Sequence, residues 1–422
     1  MRGLFICINF RTNKTKGFSA ILFYMLLIDS ILFDFNEKSS VLVLFGVQCL
    51  LFAVLFLHIG ITEGKRHPKW LAAFMLLGAL YLGPFLFGYA GWYSRAPYRH
   101  IMFFVPFKQL FLIGPVYYFF VKSLLTPKVK LNKKDLLHFI PAIAYFVYSL
   151  IVFIVDKFIL DEFYFYADGK DKDLSNWYQI AGFLSMVYYL MLSLRYYMRY
   201  RKRSLEEVSF ADEIAFKWVK HFALAFGVIV FLRVLFFILN PEWWNFGNKF
   251  WYYLCFSISL HYISIVGYSY MKRSYIQPVI DVPLDSSLVS SSEQEMTSVE
   301  YQVQEPESDL SSWKKRILDL FKTEQLHTNP SLTLTELAHA LNTNRSVVSK
   351  VINQEFEMNF NDFINKQRVL AVIEKLQNGE HKESTLLGLA YECGFNSKTT
   401  FNRAFKKHLG ITPQQYIHKN QL

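Results

Sequence analysis

Between Val41 and Met271 the chain is a succession of apolar segments of roughly 20 residues, the length an α-helix needs to cross the hydrocarbon of a bilayer. They fall at about 41–61, 69–90, 103–124, 136–156, 177–198, 217–239 and 249–271. One buried helical core would not call for seven such segments in a row, so the pattern predicts a seven-span transmembrane helical bundle over residues 41–273. Composition agrees: 53% of residues are hydrophobic, 18% aromatic and only 19% charged, which argues against a single soluble domain. The connections are asymmetric in charge. Lys65, Arg66 and Lys69 flank the first, Lys122, Lys128, Lys130, Lys133 and Lys134 the third, and Arg195, Arg199, Arg201, Lys202 and Arg203 the fifth. The fourth carries Asp161, Glu162, Asp168, Asp171 and Asp173 instead. By the positive-inside rule the odd connections face the cytoplasm. Everything after Lys272 and Arg273 is then expected on the cytoplasmic side of the membrane.

Several polar residues fall within the expected spans, among them His58, Lys108, Arg233 and His261. Ionisable groups are costly in a membrane and are usually partnered. His261 and Arg233 are therefore candidates for a membrane sensor site. The plainer reading has Lys108 and Arg233 snorkelling from the span ends and the histidines bonding between helices. Residues 1–40 are expected to be an N-terminal segment. It is either an upstream extension before a start at Met25 or an extra span built on the Phe18–Phe35 run. Cys7, Cys49, Cys255 and Cys393 show no CxxC spacing, which argues against a disulfide framework or a zinc site. No cofactor, metal or catalytic motif is evident.

The pattern changes twice after the last apolar segment. From about 274 to 309 it is acidic, Ser-rich and contains Pro, with no Lys or Arg between Gln277 and Asp309. Such a stretch reads as a flexible linker. From 310 to 422 the apolar residues recur at helical spacing. Leu310–Leu326 is amphipathic. Residues 333–353 form a helix, a turn at Asn342–Asn344 and a second helix opened by Arg345. Thr333 or Thr335 is the expected N-cap, and Val348, Val351 and Ile352 face inward. A longer helix, about 359–376, places Phe360, Phe363, Ile364, Val369 and Val372 in a core. A second helix-turn-helix occupies 385–409, turning at Gly394.

The outer faces of the two second helices match. Ser346, Ser349, Lys350 and Asn353 line one at i, i+3, i+4 and i+7, and Thr399, Asn402, Arg403 and Lys406 line the other. Behind the latter lie Phe401, Ala404 and Phe405. Either unit alone is a hairpin that any small bundle contains. Two with matching polar stripes, joined by a long helix in a chain of net charge +11, suit the phosphates and base edges of DNA.

The motifs NFNDFINKQRV and LAYECGFNSKTTFNRAFKKHLGITPQQY make this C-terminal quarter resemble the DNA-binding domain of the AraC/XylS family of bacterial transcription regulators. The resemblance implies a seven-helix domain whose third and sixth helices enter successive major-groove faces. It offers Arg345, Ser346, Ser349 and Lys350 on the third helix and Ser397, Lys398, Thr399, Asn402 and Arg403 on the sixth. Lys406 is added by the stripe. Where the family often has aromatic or amide readers on the third helix, this chain has Ser346 and Val347, so base reading is expected mainly from Asn402 and Arg403.

The whole is expected to be an all-α, membrane-bound one-component transcription regulator and not an enzyme. Its expected partners are double-stranded promoter DNA, the lipid bilayer, a second copy of the chain, and an unknown small-molecule or membrane-derived signal. The rivals are a transporter or membrane enzyme with a regulatory tail, and a latent factor released by proteolysis in the linker.

Overall fold

The computed structural model of the chain describes residues 35–127, 132–211, 216–239, 246–272 and 310–420. The expectations for the Phe18–Phe35 run and for the 274–309 linker fall outside them. Fifteen α-helices make up the described residues, which contain no strand and one isolated antiparallel bridge, Val208 with Thr333. The helices are α1 Glu37–Thr62, α2 Arg66–Tyr89, α3 Ala96–Phe104, α4 Leu110–Leu125, α5 Ile140–Ile154, α6 Asn176–Glu207, α7 Phe216–Leu239 and α8 Phe250–Met271. They continue with α9 Leu310–Glu324, α10 Leu334–Ala340, α11 Arg345–Glu355, α12 Phe360–Gln377, α13 Leu386–Glu392, α14 Lys398–Leu409 and α15 Pro413–Lys419. The chain divides into two compact units. One comprises Met1–Tyr117, Leu131–Leu190 and Ala225–Gly267, the other Tyr118–Lys130, Met191–Leu224 and Tyr268–Leu422.

Among the described residues six helices, not the seven expected, are long and apolar enough to cross a membrane: Glu37–Thr62, Arg66–Tyr89, Lys133–Ile159, Asn176–Glu207, Trp218–Leu239 and Phe250–Met271. The expected third span is the exception. Its helix, α4, has 16 residues, or about 24 Å at 1.5 Å per residue, short of the roughly 30 Å of hydrocarbon. Pro106 is the cause. A proline pushes the residue before it out of the helical region, and Val105 is extended (φ −85, ψ 118), ending α3 at Phe104. The helix resumes only at Leu110. Its inner face is core rather than surface, with Leu110, Ile113, Val116 and Tyr117 at 5% exposure or less.

α1 shows how the first unit packs. Asn36 caps it, its side chain accepting from Ser39 N at 2.9 Å while Ser39 Oγ accepts from Asn36 N at 2.9 Å. Ser39, Leu42, Gly46, Cys49, Ala53, Phe56 and Gly60 are buried, a seam of alternating three- and four-residue steps. Small residues let α2 approach closely, as between helices in lipid: a Cβ on Gly60 would stand 2.7 Å from Lys69 Cγ. Leu44, Leu51, Val54 and Ile61, on the other faces, are 63–72% exposed.

Lys108 and Arg233 do not snorkel. They are 1% and 7% exposed, because tyrosines, an amide and a carboxylate meet them inside the unit. Lys108 Nζ donates to Tyr253 OH at 2.7 Å, and its backbone N–H donates to Asp173 Oδ2 at 2.9 Å. Arg233 donates to Tyr81 OH and to Gln179 Oε1, both at 2.7 Å. Tyr145 OH donates to Asp173 at 2.6 Å, and Tyr93 OH to Asp171.

Asp171 and Asp173 lie in the 160–175 connection, outside the apolar helices. Burial pushes both carboxyls up, Asp171 to about 7 and Asp173 to about 6, with the charge of Asp173 adding to the shift at Asp171. A raised carboxyl holds its proton more tightly in the folded chain than in the unfolded one. The stability it contributes is complete below the ordinary carboxylate range and is lost as pH rises through the folded value. Near-UV dichroism melts of the full chain in detergent should therefore fall in midpoint from mildly acidic to neutral pH. Asp171→Asn should flatten that slope, and a slope identical in the variant would refute the assignment.

Residues 310–420 hold the seven helices α9–α15 around two cores. Ile317, Phe321, Leu334, Leu337, Ala338, Leu341, Val348, Val351 and Ile352 make the first with Phe360, Phe363 and Ile364 of α12. Leu389, Ala390, Cys393, Phe395, Phe401, Ala404 and Phe405 make the second with Val369, Val372 and Leu376 of the same helix. Each fully buried large apolar side chain contributes about 1.5–3 kcal/mol, so α12 is held at both ends. Asn361, beside Phe360, and Asn365 and Arg368, between the two apolar stretches, are all at 3% exposure or less.

Candidate nucleic-acid interface

Each helix-turn-helix unit is set by its caps and its turn. In the first, Thr333 and Glu336 form a reciprocal capping box that starts α10, with Glu336 N donating to Thr333 Oγ1 at 3.2 Å and Thr333 N to Glu336 Oε2 at 2.8 Å. The turn passes through Asn342 at φ 51, a conformation asparagine tolerates better than most residues. Asn344 then caps α11, accepting from Val347 N at 2.9 Å. In the second, Thr385 caps α13, Gly394 turns the chain at φ +90, and Ser397 caps α14 by accepting from Thr400 N at 3.2 Å. Gly410 closes α14 at φ 77, with Lys406, Lys407 and His408 in its last turn, where cations complement the carbonyl end of the helix.

The caps orient the faces. α11 buries Val348, Val351 and Ile352, which leaves Arg345, Ser346 and Lys350 exposed and Ser349 half-buried. α14 buries Thr400, Phe401, Ala404 and Phe405, which leaves Lys398, Thr399, Asn402, Arg403 and Lys406 exposed. Ser397 stands apart from them. It is half-buried, and its hydroxyl is engaged by Thr400 N and Thr400 Oγ1. Lys407, beside the stripe, pairs with Asp362 at 2.6 Å and so ties α14 to α12. Cys393 is buried in the second core, and burial pushes its thiol up to about 11, as suits a packing residue.

The helix-turn-helix domain family matches residues 337–419, which covers α11–α15 and most of α10. The C-terminal part of the chain is an AraC-type helix-turn-helix domain. A probable transcription factor PqrA of Proteus vulgaris is 26% identical to the chain over 92 residues, 22% of this chain and 73% of the relative. No solved structure matches.

In the AraC-type domain the exposed stripes of α11 and α14 are thus the candidate surface, with Ser397 placed at its edge as a cap. The two candidate sensor residues are not joined by any described side-chain bond. Arg233 is engaged with Tyr81 and Gln179, whereas His261 is exposed and its ring meets Phe45 edge-on at 6.3 Å.

Two contacts of the AraC-type domain with the end of α6 were not read from the sequence. Arg203, Glu206 and Glu207, at the end of α6, line an open cleft with Arg345, Ser346, Ser349 and Lys350. Asn361 and Arg368 reach Ser209. The spacing of Asn361, Asn365 and Arg368, at i, i+4 and i+7 on a helix whose other inward positions are apolar, was a legible sign of a buried polar seam.

Proposed function

We propose that the protein is a membrane-embedded, one-component transcription regulator that binds promoter DNA through both helix-turn-helix units. The observation that carries this reading is the pair of exposed cationic and amide stripes on α11 and α14, each backed by its own core and joined through α12. Asn402 and Arg403 are assigned to bases, since a good bidentate contact discriminates by about 1–3 kcal/mol. Arg345, Lys350, Lys398 and Lys406 are assigned to phosphates, Ser346, Ser349 and Thr399 to short polar contacts beside them, and Ser397 presents the N-terminal amides of α14.

Membrane embedding is supported by where apolar side chains are exposed. Leu44, Leu51, Val54, Phe158, Leu184, Leu224, Ile238 and others on the long helices are 59–76% exposed, whereas residues 310–420 expose only Leu370, Tyr391 and Leu409 among large apolar side chains. Orientation is set by the last four spans alone and does not need α4. Lys133 and Lys134 precede one, Arg195–Arg203 end the next, the acidic 160–175 connection lies between them, and Lys272 and Arg273 close the last. The basic ends share one side, the cytoplasmic one by the positive-inside rule, and the DNA-binding domain continues from it. The signal enters through the membrane half, with Arg233 and His261 as positions to test, and a second copy of the chain provides the second half-site.

Anisotropy with duplexes selected from a random pool by the full chain in nanodiscs tests the reading. Arg403→Ala should relax discrimination at one position by about 1–3 kcal/mol. Lys406→Ala should weaken all sequences alike and reduce the salt slope by about one. Absence of any binding at low salt by folded protein would overturn the assignment.

A further inference from the structure

Beyond its last turn, α6 runs into a short segment that is built into the DNA-binding domain. Val208, Ser209, Phe210 and Ala211 are 4%, 0%, 7% and 0% exposed. Val208 pairs with Thr333, the residue that caps α10, in the antiparallel bridge. Ser209 N donates to Leu332 O at 3.1 Å. Asn361 Nδ2 donates to Ser209 O at 2.8 Å, and Arg368 donates to Ser209 Oγ at 3.1 Å. Both ends of Ser209, its amide and its carbonyl, are therefore held by the domain, as is its hydroxyl.

The same seating brings the end of α6 against the first recognition helix. Arg203, Glu206 and Glu207 share a cleft with Arg345, Ser346 and Lys350. Arg203 is paired with Glu207 at 3.2 Å, and Glu206 lines the same cleft. A helix with its side chains is about 10–12 Å across, and the major groove that α11 has to enter is about 12 Å wide. A second helix end at the reading face stands where the groove walls would lie, and it puts carboxylates where phosphates would approach.

We propose that the 203–211 segment is an intramolecular latch. Seated on Leu332, Thr333, Asn361 and Arg368, it closes the reading face of α11 to DNA. Duplex binding through the first unit requires it to leave. Because α6 is one helix from Asn176 to Glu207, a shift of that helix is a direct way to unseat the latch. The proposal rests on the DNA-binding reading of α11 and adds to it the element that controls access.

The test uses the full chain in nanodiscs and a fluorescein-labelled random-sequence duplex pool at low salt. Residues paired across an antiparallel bridge have Cα atoms about 4.5–5.5 Å apart, within disulfide range. Val208→Cys with Thr333→Cys should therefore crosslink within one chain on oxidation. The oxidised protein should bind at least about tenfold more weakly than the same sample after dithiothreitol, as expected when the competent state is removed from the population. A release variant, Val208→Asp, places a charge at a buried position of the latch and leaves every DNA-facing residue intact. It should bind about tenfold more tightly than the natural chain by the same population argument. Equal binding by oxidised and reduced protein, or no gain with folded Val208→Asp, overturns the latch alone. No binding in either redox state and none by the natural chain overturns the DNA-binding reading, and the latch with it.

Discussion

Replacing Arg368 by alanine is expected to destabilise the DNA-binding domain by about 3 kcal/mol or more, because a buried acceptor left unsatisfied costs about 1–3 kcal/mol and this side chain serves several. Arg368 is 1% exposed. Its Nε donates to His327 O at 2.9 Å, and its Nη2 donates to Asn329 O at 2.8 Å and to Ser209 Oγ at 3.1 Å. The turn at 327–329 has few other ways to satisfy those carbonyls once the guanidinium is gone. Lysine is a poor substitute, since a single ammonium cannot reproduce the planar fork that reaches separate acceptors. Pulse proteolysis of the full chain in urea, following the C-terminal fragment, measures the effect. A loss below about 1 kcal/mol, the size of one ordinary hydrogen bond, would mean that the carbonyls find water and that the seam is not dry.

The seam explains why the sequence was informative about one half of this domain and silent about the other. The apolar periods of 310–420 placed Phe360, Phe363, Ile364, Val369 and Val372 correctly in the two cores, because burial of a helix face is written in local spacing. The outer stripes emerged as the complement of those faces. The partner of Ser209 was not written locally. It depends on Asn361 and Arg368, more than 150 residues away, and the segment that carries it read only as part of a basic loop. In the N-terminal half the apolar segments located the helices, but hydropathy does not see Pro106, which divides the expected third span and leaves α4 at 16 residues. Nor did hydropathy reveal that Lys108 and Arg233 face tyrosines inside the unit, since their partners come from distant helices.

Gly394→Ala is expected to be comparably damaging, by about 3 kcal/mol or more, through sterics that converge on the same turn. Gly394 has φ +90, and a Cβ there would stand 2.2 Å from His327 O, 2.9 Å from Thr328 O and 3.0 Å from Thr328 C. Backbone strain at such a φ accounts for about 1–3 kcal/mol. The contact adds to it, because the opposing atoms are backbone and cannot swing aside as a flexible side chain would. Gly379 and Gly410 supply the control. They have φ +82 and +77 with nothing within 4 Å of a built Cβ, so alanine at either should show the strain without the collision. Relief at Gly394 requires the turn between α13 and α14 to move off residues 327–328, and Asn396, which donates to Pro330 O at 3.0 Å, would move with it. That displacement carries α14 and its Asn402 and Arg403 away from their register with α11. DNA affinity of the full chain should then fall along with stability, whereas Gly410→Ala should leave affinity nearly unchanged. His327 O is also the acceptor of Arg368 Nε, so the two lesions share an atom. Arg368→Ala with Gly394→Ala should therefore be less damaging than the sum of the single variants, as for neighbours that disrupt one contact. Strict additivity would show that the two units are braced independently, not through the 327–329 turn.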